Sequence, residues 1–457
     1  VTKNIRFFFR LLFIFKVLAR NASLFPLESF KVARFVSWYY KIFSNKYHNV
    51  AAGMRLAKSF EELGPVFIKF GQALSTRADL IGIETATGLA HLRDNLPAFD
   101  FNVAKSIIEN ELSIEIDKEF LSFSDNPVNA ASISQVHKAV TKDNKVVAIK
   151  VRRPNIEEQF YQDIELFYFL ARIIEKKIPK YRRLKLIEVV DTFARSVKLE
   201  MDFRFEASAA SELKENFISD DTIYIPQIFW QYTSHKVLTL EWIEGIPIND
   251  KIALDEAGYD VEQISSNLSV MFFNQAYRDG FFHADLHAGN IFINNYQQIV
   301  LIDFGIMGRL DKQTKLYVAE ILRGFLTRDY VLVAKVHFDA GYVPKYHNIH
   351  HFAQSCRSIG EPIVGLPANE ISIAKLLAQL FKVTEDFDME TQPQLLLLQK
   401  TMMMVEGIGI SLNPKVNMWQ VAEPWIEKWA IENIGIEAKF LEFINKIIDI
   451  IKGKKVF

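Results

Sequence analysis

The chain has 457 residues, 49% of them hydrophobic and 24% charged, which is enough for two to four compact units and excludes a disordered tail or spacer. Its single cysteine, Cys356, excludes a disulfide framework and a thiolate metal cluster and fits a reducing compartment. The formal net charge of −1 conceals a division, because residues 1–48 carry nine Lys/Arg against one acidic residue, Glu28, while the rest carries 45 basic and 54 acidic groups.

The basic head, residues 1–48, is also aromatic, with thirteen Phe, Trp or Tyr. Ile5 to Arg20 reads IRFFFRLLFIFKVLAR, in which Arg10 and Lys16 interrupt every run long enough to span a bilayer. At helical spacing Lys3, Arg6, Arg10, Lys16 and Arg20 share an arc of about 140°, with Phe, Leu, Ile and Val around the rest. A basic stripe on an apolar helix predicts interfacial contact with a bilayer, the alternative being a helix packed on the body with its charges in water. No nucleic-acid-binding motif follows, so nucleic acid is not an expected partner.

Residues 49–127 read as a helical extension, containing AAGMRLAKSFEELG and PVFIKFGQALSTRADLI. From 128 the texture turns to β: ISQVHKAVT and VVAIKV flank Asp143-Asn144, a hairpin signal. Residues 155–217 return to helix, IYIPQIFW and KVLTLEWI read as strands, and helices dominate from Ile246 apart from IFIN and IVLIDF, a second hairpin around Asn295-Tyr296. The expectation is an α+β, two-lobed fold with a helical N-terminal extension. The small lobe covers 128–244 and the helical large lobe 245–457.

Four chemical signals arrive in order. Lys150 ends the strand VVAIK, Glu206 lies on a later helix, Asp285 and Asn290 are spaced by five in HADLHAGN, and Asp303 opens Asp-Phe-Gly. Phosphoryl transfer of the kinase type needs these parts. A strand lysine holds the α/β-phosphates and is fixed by a helix carboxylate. Asp285 orients the attacking hydroxyl or water, and Asn290 and Asp303 give hard oxygen ligands for Mg²⁺. The hairpin between Asn290 and Asp303 brings both to one mouth. ATP and Mg²⁺ are therefore the expected cofactors.

His283 and His287 also have the i, i+4 spacing of a zinc pair, but no Glu adjoins the first and no third ligand is evident, so a structural role for His283 is expected. Where a glycine-rich phosphate loop would lie, the chain has Asn129, Ala130, Ala131, Ser132, Ile133, Ser134 and Gln135, so nucleotide would be held differently. Ala130, Ala131, Ser132 and Gln135 are the candidates. Leu238 to Gly245 has the pattern of the strand and hinge between kinase lobes, with Leu240 gating the back pocket and backbone groups of Glu241 and Ile243 meeting adenine.

From about Gly64 to Trp429 these residues resemble the UbiB family of atypical kinase-like proteins, linked to ubiquinone biosynthesis. The most specific part is Lys69-Phe70-Gly71-Gln72, the family's KxGQ signature. The alanine-rich loop from Ser132 to His137, KLEMDFRFEA with Glu200, Asp202 and Glu206, HADLHAGN, DFG and the segment LLLLQKTMMMVEG follow. The resemblance implies that Lys69, Gly71 and Gln72 belong to a leader restricting protein substrates, that Glu206 pairs with Lys150, and that Glu200 meets Lys69. It implies ATP binding, slow ATPase activity and lipid association, with polyprenyl or quinone precursors and ubiquinone-biosynthesis enzymes as partners. Asn129 and Ser134 depart from the family's alanine and glycine, and Leu286 and Ala288 replace common prolines.

The expected protein is thus an ATP-binding atypical kinase-like ATPase supporting ubiquinone biosynthesis. Its place is the cytoplasmic side of a bacterial inner membrane, either as a peripheral protein or as a piece of an anchored one. A small-molecule or protein kinase and a nucleotide-gated scaffold remain as alternatives.

Overall fold

The computed structural model describes residues 2–25, 50–75, 81–92, 96–177, 185–362, 383–384, 386–389, 392–415 and 418–434. Residues 26–48 of the basic head, Thr76–Leu80 after the KxGQ segment and the C-terminal stretch from 435 lie outside them. The chain divides into two compact units, one of Val1–Ser211 with Pro226–Trp242, the other of Glu212–Ile225 with Ile243–Phe457.

The first unit opens with helices α1 (Thr2–Arg20), α2 (Ala52–Leu63), α3 (Pro65–Ser75) and α4 (Ile83–Leu89). Helices α2 and α4 cross backbone to backbone at two glycines: a Cβ on Gly88 would stand 2.3 Å from the Gly53 carbonyl carbon. In α1 Arg6, Lys16 and Arg20 are exposed and Arg10 is partly buried, and three of these cations meet carboxylates. Arg10 places Nε 2.9 Å and Nη2 2.6 Å from the two oxygens of Asp163, Arg6 lies 3.5 Å from Glu165, and Arg20 pairs with Glu62. Phe7, Val17, Leu18 and Ala19 are buried, whereas Ile5, Phe8, Phe9, Leu12 and Phe13 remain exposed. The helix is therefore pinned by its charges and presents apolar side chains outward. One face is packed on the body, as the alternative reading expects, and the exposed apolar side chains form the face that the interfacial reading requires.

Helix α5 (Phe101–Leu112) leads into a sheet of β1 (Phe120–Phe123), β2 (Asn129–Ala130), β3 (Ser134–Thr141), β4 (Val146–Arg152) and β6 (Val237–Glu241), ordered β1-β3-β4-β6 with β2 on β3. The sheet layer starts before 128, since Ala104, Ile108, Ile116 and Phe120 pack into the same core as Val147, Ile149, Val151 and Val237. Asn144 takes the left-handed φ of +59° that the β3–β4 turn requires. Alternation along β4 sends Val147, Ile149 and Val151 into that core and turns Lys150 to the opposite face. Helices α6 (Ile156–Lys177), α7 (Leu186–Glu200) and α8 (from Phe203 to Asn216) follow. The strand expected over IYIPQIFW shrinks to β5 (Ile223–Tyr224) and a single bridge from Ile228 to Leu240, because Pro226 offers no N–H for a ladder.

In the second unit β5, β10 (Ile299–Leu301), β9 (Ile291–Ile293) and β7 (Ile246–Pro247) form one sheet, and β8 (Phe281–His283) pairs with β11 (Met307–Arg309). Helix α9 (Val261–Phe273) buries Leu268, Met271, Phe272 and Phe273, then widens into a π-helical segment, Asn274–Asp279, which stops at Gly280 with φ +68°. Around it stand α10 (Lys312–Leu326), α11 (Tyr330–Asp339), α12 (Ile349–Gly360), α13 (Pro393–Leu412) and α14 (Met418–Ile434). The indoles of α14 are tied to the π segment, Trp425 donating to Asn274 Oδ1 at 2.9 Å and Trp429 to the Tyr277 carbonyl at 3.1 Å. Helix α13 packs on α9, and its end is held by Lys251, whose ammonium donates to the Leu412 carbonyl at 2.6 Å.

Candidate active site

The first unit assembles two lysine–carboxylate pairs from one short segment. Helix α7 ends at Glu200 and α8 restarts at Phe203, so the six-residue gap between Glu200 and Glu206 spans an elbow rather than one continuous helix. Asp202 makes the elbow. Its carboxylate accepts the Arg204 N–H at 3.1 Å and grips the guanidinium at 2.9 and 2.6 Å, and those bonds hold it below the usual carboxylate range.

Above the elbow, Lys150 Nζ lies 2.9 and 3.0 Å from the two oxygens of Glu206, with side chains 14% and 8% exposed, and sits over the Phe203 ring at 5.4 Å. Before it, Lys69 of α3 pairs with Glu200. Glu200 and Glu206 are thus aimed at different lysines by a break in the helix.

Gly71 of the KxGQ segment is a packing residue, since a Cβ there would stand 2.4 Å from Leu92 Cδ1 and 2.6 Å from Phe60 Cδ2. Gly71→Ala is expected to cost about 1–3 kcal/mol by overpacking. A chemical-denaturation midpoint measures it, and an unchanged midpoint would show that α3 shifts freely. Gln72 Oε1 is buried with no hydrogen-bond partner among the described residues, a costly state that a bound donor would relieve.

The alanine-rich loop is tied across its base by main-chain and side-chain hydrogen bonds. Ala131 N–H donates to the Ser134 carbonyl at 2.7 Å, and Arg153 holds the Ala131 carbonyl at 2.9 Å. None of residues 129–135 has a positive φ, so Asn129 and Ser134 are accommodated without the freedom of glycine. Ser132 is fully buried. Gln135 is buried too, accepting the Phe99 N–H at 2.9 Å and meeting His137 Nε2 at 2.9 Å, which commits its amide to the lobe itself. At the expected hinge, the Glu241 N–H already donates to the Gln227 carbonyl at 2.9 Å, so a ligand edge there could not use that donor. Ile243 follows in the second unit.

The second unit builds the catalytic loop. His283 is fully buried, and desolvation pushes its pKa down, which keeps it neutral. Its Nδ1 accepts the Asp285 N–H at 3.2 Å, so Nε2 carries the proton and donates to the Ile302 carbonyl at 3.1 Å. Both nitrogens are committed, which removes the zinc reading. Asn290 donates from Nδ2 to the Asp285 carbonyl at 3.1 Å, and its own carbonyl accepts the Ile302 N–H at 3.0 Å. The β9–β10 register, Ile291 opposite Leu301, sets Asn290 and Asp303 at the same end of the hairpin.

Asp303 has φ +59°, a left-handed conformation for a non-glycine residue and of order 1–3 kcal/mol of strain, as functional sites tolerate. With Nδ2 of Asn290 engaged, its Oδ1 and the Asp303 carboxylate are hard oxygen donors. No group of three His, Cys, Asp or Glu gathers as a metal cage among the described residues. Two such donors fit Mg²⁺, which keeps waters and phosphate oxygens in its shell.

One neighbour escaped the sequence reading. Lys400 of α13 places Nζ 3.0 Å from Asp285 Oδ1. Its signal was present as a lone lysine in LLLLQKTMMM, an otherwise apolar stretch.

A family model for the ABC1 atypical kinase-like domain matches residues 91–337, and one for the UbiB helical domain matches 356–417. A protein of Histophilus somni named "Probable protein kinase UbiB" is 40% identical over 411 residues, covering 88% of this chain and 76% of its own. A protein of the same name from Marinobacter nauticus is 41% identical over 390 residues, covering 84% and 71%. Among solved structures, the complex of Rv3197 with erythromycin from Mycobacterium tuberculosis aligns at a TM-score of 0.56 and 23% identity. It covers 77% of this chain and 90% of that one, a likeness of fold.

Proposed function

This chain belongs to the ABC1/UbiB family of atypical kinase-like proteins, and from that premise we propose that it binds Mg-ATP and turns it over at a bilayer in support of ubiquinone biosynthesis. The observation that carries the reading is the loop from His283 to Asn290, in which hydrogen bonds involving His283, His287 and Asn290 hold the main chain of Asp285 and the side chain of Asn290 in place. A scaffold without phosphate chemistry has no need of that constraint or of the strained Asp303.

In this reading Lys150 offers positive charge to the nucleotide phosphates, and Glu206 fixes the direction of its ammonium. Asp285 accepts the proton of the attacking hydroxyl or water. Asn290 and Asp303 hold Mg²⁺, which when bound offsets charge on the phosphate oxygens. The acceptor is water or a polyprenyl phenolic lipid, with ubiquinone-pathway enzymes as neighbours.

A bilayer location is supported by α1, which turns Phe8, Phe9, Leu12 and Phe13 outward while Arg6 and Arg10 meet carboxylates on the protein. Helix α13 is also long and apolar enough to cross a membrane, a weaker indication since a core helix passes the same test.

The test is ATP turnover by wild type and Asp303→Asn, with and without anionic liposomes and a phenolic quinone precursor. The expected result is turnover that rises with liposomes in the wild type alone. Equal turnover in the two proteins would sink the catalytic assignment. Tight nucleotide binding without turnover under every condition would leave the scaffold reading in its place. Transfer of labelled phosphate to a protein acceptor would replace the ATPase with a kinase, the activity named for the relatives.

A further inference from the structure

We infer that Lys400 is a positioning residue for Asp285, gripping one carboxylate oxygen so that the other is presented to the acceptor hydroxyl. The inference deepens the phosphoryl-transfer reading and rests on it. Hydrogen bonds of the loop fix the main chain of Asp285: its N–H goes to His283, and its carbonyl accepts from Asn290 and from the His287 N–H at 2.9 Å. None of these sets the side-chain torsion. Lys400 does, through the 3.0 Å contact of Nζ with Oδ1, while Oδ2 faces His287 Nε2 at 4.0 Å, outside hydrogen-bond reach.

The cation arrives from a different part of the chain, 115 residues away, on a helix anchored independently of the loop. Helix α13 is held at its far end by Lys251 and packs along α9, with Ser265 reaching the Gly409 carbonyl at 3.5 Å. Lys400 and Glu406 are the only charged residues among its twenty. A lysine on so apolar a helix, only 24% exposed, carries a desolvation cost that a partner must offset, and Asp285, 26% exposed, is that partner. The pair also joins the two matched family segments, Asp285 lying in the first and Lys400 in the second. A function in the catalytic loop thereby explains why the helical segment accompanies the kinase-like one.

The experiment measures kcat and KM for Mg-ATP on the full chain. It compares wild type, Lys400→Met, Lys400→Arg, Asp285→Asn and the double variant Lys400→Met/Asp285→Asn, each with a melting curve. A misplaced base of this kind costs about 10²-fold in rate. The expected result is therefore a fall of that size in kcat for Lys400→Met with KM unchanged, and recovery to within about tenfold in Lys400→Arg. The double variant should be no slower than Asp285→Asn alone, because Lys400 acts through that carboxylate.

Wild-type kcat in Lys400→Met overturns the inference, and so do losses that multiply in the double variant. A lowered melting temperature with normal turnover per folded molecule overturns it as well. Absence of turnover in the wild type itself defeats the phosphoryl-transfer reading and this inference with it. Turnover abolished by Asp285→Asn but untouched by Lys400→Met defeats the inference alone.

Discussion

Asp285→Asn is expected to lower Mg-ATP turnover by about 10²–10⁴-fold while leaving the melting temperature close to that of the wild type. The size follows from removing the group that accepts the proton of the attacking hydroxyl or water. The indifference of the fold follows from the local geometry. The bonds that Asp285 contributes to the loop use its main chain, its N–H to His283 and its carbonyl to Asn290 and the His287 N–H, and asparagine keeps them all. The carboxylate itself meets Lys400, and an amide oxygen can still accept from that ammonium. A steady-state ATPase assay beside a thermal melt checks both halves. Loss of turnover accompanied by a large drop in melting temperature would show that the carboxylate holds the fold together, against a catalytic role.

Much of this site was legible because its parts lie at short, fixed spacings. Asp285 and Asn290 are five residues apart in one loop, and the hairpin that returns the chain to Asp303 is too short to go elsewhere. Lys150 was legible as a lysine closing the apolar run VVAIK, although the strand itself continues to Arg152 and it is alternation that turns the lysine away from Val147, Ile149 and Val151. The pairing of Lys69 with Glu200 came from the family resemblance, and the elbow at Asp202 is its physical reason. What the sequence withheld is tertiary. A helical wheel says which residues of α1 share a face, and it cannot say that Asp163 and Glu165 wait opposite the arginines. Lys400 carries no spacing to Asp285, so an apolar helix hid it. Gln135 looked like a ligand for phosphate because its neighbours form a loop, and only the fold shows Phe99 and His137 claiming its amide. The strand expected after Ile223 was shortened by Pro226, a local rule that alternation had outvoted.

Two levels of organisation meet at the elbow between α7 and α8. A continuous helix would carry Glu200 and Glu206 about 240° apart, leaving their two lysines to approach from unrelated directions. Interrupting it at Met201-Asp202 frees the second carboxylate to be set by α8 alone, with Asp202 and Arg204 fixing the first turn. The carboxylate partners of the KxGQ lysine and of the β4 lysine thereby lie in one short covalent segment. Displacing either pair would be felt by the other through the five residues between Glu200 and Glu206.

The second large effect is expected at Lys150 and Glu206, and it separates stability from activity. Lys150→Met takes from the nearly buried Glu206 carboxylate the ammonium that meets both its oxygens, and Glu206→Gln takes from the lysine its negative charge partner. Breaking such a pair from one side costs about 3–5 kcal/mol, whereas replacing both partners with apolar residues is often neutral. The double variant Lys150→Met/Glu206→Leu is therefore expected to regain most of the stability lost by either single change. Turnover should not follow. With Lys150 gone, the double variant should remain as inactive as Lys150→Met, because Arg152, the other cation on that face of β4, is committed to the Met201 carbonyl and Glu157. Denaturation midpoints for the four proteins, read beside their ATPase rates, decide it. Recovery of both stability and turnover in the double variant would mean that the pair serves the fold alone. Recovery of stability without turnover would assign Lys150 to the nucleotide and Glu206 to holding it ready.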